Sequence, residues 1–394
     1  MENLGDALIC GAGPVGLLTA IGLARRGIAV TVIDGEPTVV QSPRATGYFP
    51  PTIELIAEFG LYDDLSARAF RSHELKLHFR LIDTIVELSL AVLEGHAKYP
   101  FFLSTGQHVL AECILRQLVP LPNVQVRWNT RVESFMQDAR GVNVTVSTPA
   151  GAQELHADWF IGTDGARSTV RQILGLPFEG FTWPDRFIAN NIRFPFDQYG
   201  FAPNNMLHHP IDWAVVARTG PEGIWRVTYG EDPNLSYEET RRRIPEHLKR
   251  ILPSDEPYEI VASAPYRVHE RTCPRYNVGR VILAGDAAHA CNPCGGMGLT
   301  SGAFDALALV TALGAVIEGK ASERVLDFYS EERRRVFLEV ASPTAQETKR
   351  RIQQPSEEQQ RRDAEMFQRV AADPEIMRAG MSGSFAVRGR PMLG

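Results

Sequence analysis

The pattern Gly11-x-Gly13-x-x-Gly16 follows a short apolar run, Asp6 to Cys10, and opens a stretch with helical spacing from Leu17 to Arg26 that ends on Gly27. Each glycine has a physical task. The first allows a tight turn, the second lets the backbone approach a pyrophosphate, and the third lets helix pack on strand. The bare N–H groups and positive dipole end of the helix that follows suit phosphates. Asp34 closes the next apolar run, Ile28 to Ile33, where a carboxylate can meet ribose hydroxyls; the competing reading is a turn-forming Asp ahead of Gly35.

Three further segments have the types and spacing of a ligand site. In Trp159-Phe-Ile-Gly-Thr-Asp164-Gly165-Ala-Arg-Ser168 an apolar strand runs into Asp-Gly and a helix start, although Asp-Gly is also common in ordinary turns. Gly279-Arg-Val-Ile-Leu-Ala-Gly285-Asp286-Ala-Ala-His289 places an acid just past a buried strand, where ligands gather in open α/β sheets. Asn292-Pro293-Cys-Gly295-Gly296-Met-Gly298-Leu299-Thr300 is a glycine-rich turn before a helix, a second place for bare N–H groups to meet negative charge. Cys291 and Cys294 have the spacing of a redox disulfide, but no neighbour lowers a thiol pKa, so ordinary buried thiols are the better reading. No second Cys/His pair follows to complete a zinc site. His208, His209, Tyr229 and His269 could each deprotonate or orient a phenol, although for each taken singly a satisfied core or surface residue is the better reading. Trp183, Trp213 and Trp225 could line an aromatic pocket or merely fill a core.

The elements that must position these residues form two kinds of pattern. Strand, glycine turn, helix and strand over residues 6–33 make a βαβ unit. Thr105–Leu118 reads as a helix, and Val124–Arg127 and Val142–Val146 as strands. Val86, Leu88 and Leu90 alternate with Ile85, Glu87 and Ser89, and short alternating runs fill Arg186 to Tyr229, a signature of antiparallel sheet. Val281–Ala284 returns to a buried parallel strand. The expected fold is α/β, a Rossmann-like domain with parallel sheet carrying an inserted antiparallel β-sheet domain. The expected segments are 1–72, 101–176 and 268–340 for the nucleotide domain, 73–100 and 177–267 for the insert, and 341–394 for a helical tail broken at Pro355.

A chain of 394 residues with 44% hydrophobic and 22% charged content is long enough for two domains. Its net charge of −6 argues against a nucleic-acid coat. Arg241–Arg243 and Arg333–Arg335 have acidic neighbours and read as solvated helix faces. Five irregularly placed cysteines and the absence of a basic-then-apolar leader predict a cytoplasmic protein. Ala303–Ile317, interrupted by Asp305, reads as a buried helix rather than a membrane span.

Taken in order, the four motifs resemble the FAD-dependent aromatic hydroxylases related to p-hydroxybenzoate hydroxylase, the class A flavoprotein monooxygenases. The branch of phenol, hydroxyphenylpropionate and polyketide hydroxylases is the most similar, over about residues 5–335. The resemblance implies FAD as cofactor, NAD(P)H as reductant and O2 as co-substrate, with a small aromatic substrate hydroxylated through a flavin C4a-hydroperoxide. It implies that Gly11, Gly13, Pro14, Val15 and Gly16 hold the FAD pyrophosphate, and that Asp34, Gly35 and Val132 serve the adenosine end. Arg44, in a Pro43-Arg44-Ala45 segment, and Gln107 would contact the flavin. Asp164 and Gly165 would serve both FAD and NAD(P)H, and Asp286, after Gly285, the ribityl chain. Pro293, Gly295, Gly296, Gly298, Leu299 and Thr300 would line the isoalloxazine. Arg44, Pro293, His208 and Tyr229 are the expected residues at the reactive face. The family usually has Pro at Asn292, Gln at Met297 and Asn at Thr300, departures expected to touch side chains beside the ring. The resemblance also admits a homodimer. Epoxidation, double-bond reduction and non-catalytic lipid or prenyl binding use the same scaffold and stay open at this stage.

Overall fold

The computed structural model describes residues 1–41 and 46–393. In chain order, β1 (Ala7–Cys10) leads through the glycine turn into α1 (Pro14–Ala24) and β2 (Val30–Ile33). β3 (Glu74–Phe79) and β4 (Thr84–Ser89) follow, then α2 (Gln107–Leu118), β5 (Val124–Arg127) and β6 (Trp159–Gly162). The middle of the chain is β7 (Glu179–Arg193), β8 (Asn204–His208), β9 (Ala214–Arg218), β10 (Ile224–Glu231), α3 (Tyr237–Ile251) and β11 (Glu259–Thr272). β12 (Val281–Leu283) precedes α4 (Met297–Ile317), α5 (Arg324–Val336), α6 (Ser342–Ile352) and α7 (Glu357–Ala372).

The α/β expectation is borne out. β12, β6, β1, β2 and β5 lie side by side and parallel, each buried through β12, β6, β1 and β2, which is why they read as continuous apolar runs. α1 and α4 cover this sheet; a Cβ at Gly22 would meet Val310 at 2.6 Å, so the helices approach closely only because Gly22 has none. α4 is long and apolar enough to cross a membrane, but 72% of its window is buried inside the protein, as a core helix must be. Residues 131–157 add an antiparallel meander (Arg131–Asp138, Gly141–Thr148, Gly151–Ala157) where the sequence pattern revealed one strand.

A second, eight-stranded sheet runs His289–Ala290, β11, β7, β10, β9, β8, β3, β4, antiparallel except for β8 with β3. Strand alternation gives it two distinct faces. α3 covers one, over Ile188, Val227 and Tyr229. The other carries Phe187, Trp213 and Val268 and meets Cys294 and Ile352.

Two boundary expectations shift. The cut at 268 falls inside β11, a single strand that runs without interruption from one unit into the other. The tail from 341 is not an appendage: Ala345, Lys349 and Ile352 are buried, and α7 packs on β3 and β4 through Ala364 and Phe367.

Candidate active site

Parallel alignment brings the carboxyl ends of four strands to one edge. Gly11 N–H donates to Ile33 O at 2.8 Å, Thr163 N–H to Cys10 O at 2.8 Å, and Ala284 N–H to Gly162 O at 3.0 Å. Asp34, Gly11, Asp164 and Gly285 therefore line up at the ends of β2, β1, β6 and β12. Neighbouring strands leave β1 on opposite sides, the crevice where such sheets take ligands.

The glycine turn has the stereochemistry a dinucleotide needs. Gly11 adopts φ +111°, a conformation that disfavours any other residue. A Cβ at Gly16 would lie 2.0 Å from Gly11 O and 2.5 Å from Thr163 Oγ1, so the third glycine is required by the turn itself. A Cβ at Gly13 would meet nothing within 4 Å, which leaves the backbone open toward a ligand. Asp34 makes the turn contacts that one of its sequence readings predicts. Its Oδ2 accepts from Ala12 N–H at 2.7 Å and its Oδ1 from Glu36 N–H at 2.8 Å. A carboxylate has acceptor sites beyond these two for ribose hydroxyls. The Arg131 guanidinium lies against Gly35, 3.0 Å from where a Cβ would stand, and Val132 beside it is buried. Burial pushes the Asp164 carboxyl up from its ordinary value despite bonds from Ser168 Oγ and Val170 N–H.

Three helices that begin at this crevice have no side-chain cap: α1 at Gly13, α2 at Gly106, just before Gln107, and α4 at Gly296. An uncapped N-terminus leaves N–H groups for a ligand. These starts, with the open backbone at Gly13 and at Gly298, fit FAD. FAD held here would supply hydride acceptance and the activation of dioxygen. Asp286, one residue past Gly285, is exposed at the mouth of the crevice.

The loop before α4 is anchored by a residue the sequence reading missed. Glu270 on β11, 4% exposed, accepts from Asn292 N–H at 2.9 Å and Asn292 Nδ2 at 2.5 Å through Oε1. Trp183 Nε1 donates to the same oxygen at 3.2 Å, and Ser342 Oγ to Oε2 at 2.7 Å. This overturns the expectation that the unusual side chains face the ring. Asn292 turns toward Glu270, and Met297 packs with Phe337 and Ala341. Thr300 Oγ1 donates to Gly296 O at 3.0 Å and meets Thr52. A Cβ at Gly298 would meet nothing within 4 Å and Pro293 is exposed, whereas Gly295 lies against Ala345 and Gly296 against the Phe49 ring. Among the first N–H groups of α4 are those of Leu299 and Thr300, which carry positive partial charge.

A buried network sets the adjacent Gly285. Asp305 on α4 accepts from Gly285 N–H at 2.9 Å, lies 2.6 Å from His289 Nε2 and receives Arg333 Nε at 2.7 Å. Burial pushes this carboxyl up, but His289 and Arg333 outweigh it and hold it at about 2. Arg333 is fully buried and also donates to Val387 O, so it is not the solvated face its acidic neighbours implied.

Two expected catalytic residues are misplaced. Tyr229 lies on the α3 face of the sheet, stacked on His247 at 4.6 Å, because its strand alternates and it falls in phase with Trp225 and Val227. His208 lies beyond the Leu207–Ala214 pair, beneath the end of α6. Its Nδ1 is 3.0 Å from Arg351 O, its ring rests on Phe79, and burial pulls its pKa down to about 4. Arg44 lies outside the described residues. Trp183 and Trp213 are on the cleft side, where Lys349 Nζ sits 4.3 and 5.8 Å from their ring centroids. Burial pushes the Cys294 thiol up to about 12 and Cys291 far above its ordinary value, so neither is a ready nucleophile. No group of three or more metal-binding side chains occurs among the described residues.

A glycine cradle at a parallel-sheet edge, facing an antiparallel sheet across a glycine-rich loop, defines a flavin-dependent aromatic hydroxylase, and the chain belongs to that family: residues 5–344 match the FAD binding domain family. It is 43% identical to para-nitrophenol 4-monooxygenase of Pseudomonas sp. strain WBC-3, over 100% of this chain and 98% of that one. It is 40% identical to 6-hydroxy-3-succinoylpyridine 3-monooxygenase HspB of Pseudomonas putida strain DSM 28022 / S16, over 89% and 90% of the two chains. The crystal structure of p-nitrophenol 4-monooxygenase PnpA from Pseudomonas putida DLL-E4 superposes with a TM-score of 0.96 over 99% of this chain and 100% of that one, at 43% identity. The protein is an FAD-dependent monooxygenase.

Proposed function

We infer that the protein consumes NAD(P)H and O2 to hydroxylate a phenol at the ring carbon para to its hydroxyl, a carbon that already carries a substituent. The names of the two relatives above carry this reading. Position 4 of para-nitrophenol bears the nitro group, and position 3 of 6-hydroxy-3-succinoylpyridine bears the succinoyl group. In both, the oxidised carbon is substituted and lies para to the hydroxyl. Oxygen delivered there leaves a tetrahedral carbon. Where that substituent is nitro, its loss as nitrite, with loss of the new hydroxyl proton, gives a quinone.

On this reading residues 1–72, 101–176 and the stretch from the end of β11 to 340 hold FAD, and 73–100 together with β7 to β11 supply the sheet on which the substrate lies. Gly11, Gly13 and Gly16 bind the pyrophosphate, Asp34 the ribose, and Asp164 and Asp286 the middle of the cofactor. The backbone N–H groups of Leu299 and Thr300 stabilise negative charge on the flavin. Trp213, Phe187 and Tyr266 exclude water from the reacting ring. NADH or NADPH binds transiently in the open crevice, and the cytoplasm supplies both reductant and substrate.

The test is to mix purified yellow protein with NAD(P)H and 4-nitrophenol in air. Equal consumption of NAD(P)H and release of nitrite, with little peroxide, is the expected result. NAD(P)H oxidation that every para-substituted phenol leaves unchanged would sink the reading in favour of epoxidation or double-bond reduction.

A further inference from the structure

The cleft face of the eight-stranded sheet is graded in size and polarity. Its registers set three rows on that face. The row nearest the glycine-rich loop carries Phe187, Tyr266 and Gly230, with Trp213 beside them. The middle row is mostly small: Ala189, Thr228, Ala264, Val215 and Met206. The far row carries Arg226 on central strand β10, with Asn191 opposite on one side and Ala217 on the other. The rows span about 13 Å along the strands, enough for one aromatic ring and its substituents.

Arg226 is 7% exposed, while Ala217 and Ala262 in its row are only half-buried, so the guanidinium is sunk in a floor that still opens on the cleft. Asn191 Oδ1 accepts from Arg226 Nε at 2.6 Å and orients the planar group. Burial pulls its pKa down to about 10, partly offset by Tyr266; His108 at the start of α2 is lowered chiefly by burial, with smaller contributions from the Arg68 and Arg226 cations. Arg226 stands on the cleft face of the sheet, between Asn191 and Ala217 on the neighbouring strands. A desolvated guanidinium binds an oxyanion far more strongly than it binds a neutral ether or phenol.

Resting on the function inferred above, we propose that Arg226, oriented by Asn191, is the specificity residue that selects the aromatic substrate in its ionised, phenolate form. A phenolate is also the form that donates electron density to the para carbon. No side chain need then serve as the base while substrate is bound, which agrees with the positions of Tyr229 and His208 away from the cleft.

The experiment is equilibrium binding to the FAD-loaded protein without reductant, followed by flavin fluorescence and visible difference spectra. 4-Nitrophenol is compared with 4-nitroanisole, its methyl ether, which has no proton to lose. The wild type should prefer the phenol by roughly 10- to 100-fold and hold it with the phenolate spectrum at a pH one unit below its free pKa. R226M should lose the preference and the phenolate band while staying yellow; R226K should keep part of both. R226M retaining the preference, or a wild type that binds phenol and ether alike, overturns the proposal and leaves the inferred function standing. A yellow wild type that binds neither compound overturns both. Should R226M fail to fold, the wild-type ratio and R226K decide.

Discussion

Replacing Glu270 by alanine removes the acceptor for four donors: two on Asn292, one each on Trp183 and Ser342. Hydrogen bonds to a charged group contribute about 1.5–3 kcal/mol each, and neighbours are not additive. Because breaking one partner of a buried charged network costs about 3–5 kcal/mol, we take ~4 kcal/mol for E270A. With an unfolding entropy of about 2.1 cal/mol/K per residue, a 394-residue chain loses about 5 °C in Tm for that amount. The loss should also loosen the loop that leads into α4, so FAD affinity should fall by more than tenfold. E270Q separates geometry from bulk. Its retained oxygen can keep the three N–H donors while its amide donates to Ser342 Oγ, so the cost should be about 1 kcal/mol and FAD affinity nearly unchanged. Differential scanning calorimetry and flavin-fluorescence titration read both quantities. E270A with wild-type Tm and FAD affinity, or E270Q as damaged as E270A, would refute the anchoring role.

G16A should yield colourless protein under conditions where the wild type is yellow, because its Cβ would collide with Gly11 O; equilibrium dialysis with FAD is the check. His208 gives a pH signature. Its folded pKa of about 4 lies below the ordinary 6.5, so the unfolded chain binds the proton first and stability falls as pH drops from 6.5 toward 4. The loss is about 3 kcal/mol, and urea midpoints at pH 5 and 7.5 should converge in H208F. Cys10, Cys113, Cys273 and Cys294 are buried, so a thiol reagent should find no rapidly reacting cysteine among these four in the native protein, and all five should react in guanidinium.

The cofactor half of the site was legible because its constraints are local. A glycine turn between strand and helix, and an acid at a strand end, are written in consecutive residues, and the parallel strands that align Asp34, Gly11, Asp164 and Asp286 are continuous apolar runs. The substrate half was not. On an alternating strand the choice of face is the whole question, and Trp225-Arg226-Val227-Thr228-Tyr229 offers two phases. Attention to the aromatic residues selected Tyr229 and the wrong phase. The phase of Arg226 is set by what covers each face: α3, more than ten residues downstream, on one side and the glycine-rich loop, near residue 293, on the other. Glu270 escaped for a similar reason, since its partners at 183, 292 and 342 are joined only by tertiary structure. The chemistry of Asn292 is intelligible once Glu270 is placed beside it.

The line of strand ends that forms the crevice gathers residues 11, 34, 164 and 286. These are closed into one row only after five strands of the eight-stranded sheet, β7 to β11, have been threaded between the third and the fourth. Such distant pairings form slowly, because long loops must close before any contact rewards them. Neither half of the polypeptide holds a complete cradle, so FAD cannot template an early folding step. Bound flavin colour is thus a report on the last event of assembly, and any library screened by yellowness selects for completed long-range folding as much as for the binding of a cofactor.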